Sequence, residues 1–88
     1  MSDVVVSGRR ERYGGWSFSV TVGDTPFNVQ VDKDHWLALT RGSIEPEDLV
    51  KKSFDFLLRR ETKESILRSF NLREISKYFS EYEKMMKL

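Results

Sequence analysis

The sequence predicts an α+β fold: a small antiparallel β-sheet, made of a hairpin with a further N-terminal strand available, followed by three to four helices packed on one face. Three observations carry that prediction. Residues 16–31 alternate between apolar and polar on either side of a turn. Residues 46–60 read as a helix apolar over about 200° of its circumference, and the stretch after Thr62 keeps helical spacings toward the end of the chain. Strands come first and helices after, with no repeat or linker, so residues 1–88 form one domain.

Val4, Val5 and Val6 are β-branched and favour a short strand before Gly8 interrupts it. The following RRERYGG, with Arg9, Arg10 and Arg12 ahead of Tyr13 and the Gly14-Gly15 pair, reads as a mobile turn. Trp16, Phe18, Val20 and Val22 then point one way, and Ser17, Ser19 and Thr21 the other. After Gly23, Asp24, Thr25 and Pro26 the alternation resumes, with Phe27, Val29 and Val31 opposed to Asn28, Gln30 and Asp32. A lone hairpin is marginal in water, so its apolar face needs a cover of helices.

The period changes at Asp32. Asp32 or Asp34 can cap a short helix over 35–40, which Gly42 ends in a left-handed conformation; a strand over 36–39 is the less favoured alternative. Pro46 suits the first position of the central helix, where its missing N–H costs nothing, and Glu47 and Asp48 suit the positive end of the dipole. Leu49, Val50, Ser53, Phe54, Phe56, Leu57 and Leu58 form its apolar arc, leaving Lys51, Lys52, Asp55 and Arg59 on an outward strip. Such an arc is wide enough to be covered on two sides. A helix over 63–70 follows, with Ile66, Leu67 and Phe70 on one face, and Asn71 takes a left-handed turn. Leu72, Ile75, Phe79, Tyr82 and Met86 then define a last amphipathic helix from about Arg73 to Lys84, with residues 85–88 fraying.

Composition bounds the setting. The chain has no cysteine, which removes disulfides and thiolate metal sites and fits a reducing interior. No apolar run approaches the roughly 18 residues of a membrane span, and Met1 to Gly8 lacks the arrangement of a signal peptide. The expectation is a cytoplasmic protein without membrane contact. The formal charge is +1, yet residues 1–50 hold 5 Lys/Arg against 8 Asp/Glu, and residues 51–88 hold 10 against 6. Because the signs interleave, this asymmetry fits solvated helical surfaces better than a polyanion-binding half.

Several patterns could carry chemistry. Residues 62–84 could form a helix-turn-helix with Arg68, Arg73 and Lys77 facing a nucleic acid. Glu74 and Glu81 share that face, so an αα-corner closing the core is preferred. Arg9, Arg10 and Arg12, beside Tyr13 and Trp16, could contact a single strand through guanidinium forks and stacking, or form only a soluble arm. His35 lies between acids, but without a second histidine or a cysteine it reads as a solvated or capping residue. Glu45, Glu47 and Asp48 lack the alternation of a calcium loop and read as helix-start acids.

The last pattern is a partner surface. Tyr78, Tyr82, Met85 and Met86, with Phe79, exceed what a helix packed on one side needs, although all could equally finish the core. The expected function is accordingly a small non-enzymatic interaction or regulatory module. It needs no cofactor and binds an unidentified protein partner or a second copy of itself. The alternative is a nucleic-acid-binding regulator using residues 62–84, and an enzyme ranks third.

Overall fold

The computed structural model describes residues 3–87. Strands β1 (Val4–Arg12), β2 (Gly15–Val22) and β3 (Thr25–Asp32) form an antiparallel meander, followed by helices α1 (Lys33–Thr40) and α2 (Pro46–Leu58). A three-residue strand, β4 (Ser69–Asn71), then pairs parallel to β3, giving the sheet order β1-β2-β3-β4. Two one-turn helices, α3 (Ile75–Tyr78) and α4 (Tyr82–Met86), follow. The fold is α+β, and its sheet is antiparallel except at the β3–β4 edge.

The alternation in β2 and β3 divides the sheet as its period requires. Phe18, Val20, Val22, Phe27, Val29 and Val31 are buried on the inner face, while Ser19 and Asn28 are exposed on the other. Burial of each such side chain contributes about 1.5–3 kcal/mol, and α2 supplies much of the cover. Its Leu49, Val50, Phe54, Phe56 and Leu57 are all buried, and the Phe54 ring meets Phe27 at 5.3 Å and Phe70 at 5.9 Å between centroids. Pro46 occupies the first turn as expected, and Asp48 accepts a hydrogen bond from the Glu45 N–H at 3.2 Å.

Two stretches differ from the sequence reading. RRERYGG is mostly strand, because β1 continues through Arg12 after a shift of register between Ser7 and Arg10. Gly8 makes that irregularity possible with φ 65°, which side-chain-bearing residues rarely adopt. The turn shrinks to Tyr13 and Gly14. Gly15 then lies so close to β3 that a Cβ would meet the Val31 carbonyl, which keeps this end of the hairpin tight.

The second difference is larger. Residues 63–70 are not a helix: a 3₁₀ turn at Lys63–Ser65 leads into extended chain, where the Asn28 N–H donates to the Arg68 carbonyl at 2.7 Å. An eight-residue helix is marginal on its own, whereas the open side of β3 offers ready ladder bonds. Asn71 is extended rather than left-handed, and its side chain caps a 3₁₀ turn at Leu72–Glu74. The last helix breaks at Phe79, whose φ −131° and ψ 96° are extended. That break accompanies a stack in which both Phe79 and Tyr82 lie edge-on to Phe56. Residues 62–84 therefore do not form a helix-turn-helix, and the αα-corner is absent with it. Of the stretch 85–88 expected to fray, Met85 and Met86 are helical, closing α4, and Leu88 lies outside the described residues, as do Met1 and Ser2 at the other end. Among the described residues, no helix is long and apolar enough to cross a membrane.

Candidate partner-binding groove

The irregular C-terminal chain leaves an apolar groove where it crosses the end of α2. Leu57, Ile66, Phe70, Ile75 and Phe79 form its floor, and its volume is about 170 Å³. Leu67 and Tyr78 also line it, although they are 52% and 71% exposed. The extended chain explains Leu67, since burying Ile66 turns the next side chain outward. Tyr78 ends a one-turn helix that has only Ile75 buried. Glu61 and Glu74 add carboxylates to the lining, which contains no cation. A cavity near 150 Å³ holds one benzene-sized group, whereas drug-sized ligands and cofactors need about 300–1,000 Å³. The space suits one large apolar side chain.

The structure divides the four residues expected at a partner surface. Tyr78 and Met85 are exposed, whereas Tyr82 and Met86 are buried and belong to the core. Tyr82 is held there by chemistry as well as packing. Ser53 donates to the Leu49 carbonyl at 2.8 Å, so the Tyr82 hydroxyl, 2.6 Å away, donates to Ser53. Burial pushes the Tyr82 phenol well above its ordinary value, against the smaller effect of the Ser53 bond. Met85 is tied in from outside: Arg60 lies over the Phe56 ring at 3.7 Å, donates to the Met85 sulfur at 3.4 Å and approaches Glu81 at 3.5 Å.

The cations expected at a nucleic acid make several different contacts within the fold. Arg9 rests over Trp16 at 5.1 Å and reaches Glu47 at 3.5 Å; Arg68 lies 5.7 Å from the Phe27 ring. Arg10 is exposed on β1, and Lys77 on α3. Arg12 and Arg73 do meet, at Asp32. Arg73 Nε donates to Asp32 at 2.6 Å and its Nη2 to Asp34 at 2.6 Å, while Asn71 adds a bond to Asp32 at 3.2 Å and Arg12 approaches it at 3.5 Å. Partial burial raises the Asp32 carboxyl, but the bonds from Arg73 and Asn71 outweigh it and hold the group below its usual value. Asp32 therefore holds the N-cap position of α1 but makes no side-chain cap hydrogen bond there, its carboxylate joining the hairpin to the C-terminal segment instead. Asp34 serves the helix start, accepting from the His35 N–H at 2.8 Å.

His35 is the other departure. It is buried, not solvated, because α4 lies across α1 and brings Glu83 Oε2 to 3.3 Å from Nε2. Among the described residues, neither ring nitrogen makes a well-directed hydrogen bond. Desolvation lowers its pKa, and the charge of Arg73 lowers it further, against the opposing pull of Glu83 and Asp32. A neutral, enclosed imidazole results. Among the described residues, no group of three or more His, Cys, Asp or Glu side chains could hold a metal ion.

Sequence reasoning missed the groove because it placed Ile66, Leu67 and Phe70 on one helical face. A signal was present: Ser69, Phe70, Asn71 and Leu72 alternate polar and apolar, as a half-buried strand does. No family model matches this chain, and no curated protein or solved structure matches it.

Proposed function

We propose that this chain is a small interaction module, without chemistry of its own, that accepts a large apolar side chain of a protein partner in the groove beside α3. The observation that carries this reading is the pairing of a buried apolar floor with two large apolar residues, Leu67 and Tyr78, left in solvent at its margin. Exposed aromatic and aliphatic groups around a cleft are the usual anchors of protein recognition. A capacity near one side chain favours a short segment over a cofactor. The lack of cysteine fits the reducing, cytoplasmic setting in which we place the module.

The test is an amide-resolved NMR titration of the labelled full chain with a capped peptide carrying phenylalanine between serines. Saturable shifts at Ile66, Phe70 and Tyr78, lost in the Leu67→Ser/Tyr78→Ser double variant, support the reading. No shifts there, or shifts that the double variant leaves unchanged, would sink it.

A further inference from the structure

We infer that the groove selects a basic segment, one whose apolar anchor has lysine or arginine beside it. This deepens the proposed function and rests on it. Two of the groove's lining residues are acids, Glu61 and Glu74, in a half of the chain where bases outnumber acids 10 to 6. Both acids are half-buried. The ion pairs of the described residues engage Asp24, Asp32, Asp34, Glu47, Glu81 and Glu83, but neither of these two. Glu74 uses Oε2 to accept from the Asn71 N–H at 2.9 Å.

A segment seated over Leu67 and Tyr78 strips water from both carboxylates. Without a cation, that desolvation opposes docking; with one, the attraction is stronger than on open surface because the local dielectric is lower. An acidic segment adds repulsion, and a phosphate backbone adds more. The same carboxylates thus reject one class of partner and favour another.

The test uses the labelled full chain and four short capped peptides: phenylalanine flanked by lysines, by serines or by glutamates, and lysines around a central serine. Two such rim contacts predict about fivefold tighter binding of the lysine-flanked than the serine-flanked phenylalanine peptide at low salt. Added salt should shrink that advantage, and the glutamate-flanked peptide should bind weakest. Glu61→Gln/Glu74→Gln keeps an acceptor for the Asn71 N–H; it should remove the preference, with the serine-flanked peptide binding at least as tightly as before because neutral amides cost less to desolvate than carboxylates. Equal binding of lysine- and serine-flanked peptides overturns the inference and leaves the interaction reading standing. Equal binding of the two lysine peptides means that charge alone drives association, which also overturns it. Concentration-dependent shifts at Leu67 and Tyr78 without peptide would identify a second copy as the occupant and overturn it too.

Discussion

In the meander, the large apolar side chains on the inner face of β2 and β3 are buried, and the opposite face carries serine, threonine, asparagine and glutamine. After Glu61 the chain buries Phe70, Leu72 and Tyr82 but leaves Leu67, Tyr78 and Met85 largely in solvent. A long strand sorts its residues by a period of two, so one face can be filled completely. One-turn helices and a three-residue strand have no such rule. They are held by individual contacts, and gaps between those contacts become the groove.

Four experiments sharpen or break that contrast. The largest effect belongs to the residue that joins the two regions. Phe54, fully buried between Phe27 and Phe70, should cost about 3–5 kcal/mol when changed to alanine, measured by denaturant unfolding. A loss below about 1 kcal/mol would show that the halves do not share a core. Next, Tyr82→Phe removes one hydroxyl and leaves Ser53 Oγ short of a donor, for a loss of about 1 kcal/mol. An unchanged midpoint would mean that the bond is not formed.

The third effect depends on pH. The folded-state pKa of His35 lies below its ordinary value of 6.5. The unfolded chain therefore binds the proton more readily, and the contribution of neutral His35 is complete above about 6.5 and lost as pH falls through the folded value. Stability should decline in that window in the parent protein. The His35→Gln variant should lack that component of the decline, even if it is less stable throughout; matching slopes would rule out His35 as the source. Asp32, also depressed, acts in a separate window below its ordinary 3.8. The smallest effect is at the groove margin, where Tyr78→Ser should change stability by no more than about 0.5 kcal/mol. A larger loss would mark Tyr78 as part of the packed interior.

The hairpin and α2 were legible because their signals agree over many residues. Alternation runs unbroken from Trp16 to Val22, and Pro46, the first-turn acids and a broad apolar arc all specify the same helix. The C-terminal segment was not, for a physical reason. Ile66 and Phe70 are four apart, which satisfies a helix, yet a 3₁₀ turn followed by extended chain buries both. The choice depends on the open side of β3, a tertiary feature that no local pattern contains. His35 was misread for the same cause, since its cover comes from a helix placed by the break at Phe79. Of the expected surface residues, Tyr78 and Met85 proved exposed, while Leu67 and the two groove carboxylates needed the fold to be seen.

The parallel pairing of β4 with β3 also has a kinetic consequence. Asn28 and Ser69 stand side by side although about 40 residues separate them along the chain, so the entropy of closing that loop opposes their meeting until the intervening helices have condensed. The hairpin, by contrast, joins neighbours through short turns. β4 should therefore be the last strand to add during folding and the first to leave in a partial opening. In native-state hydrogen exchange, the Phe70 amide should open at lower free energy than the paired amides at the centre of β2 and β3. Equal protection would mean that the sheet opens as a single cooperative unit.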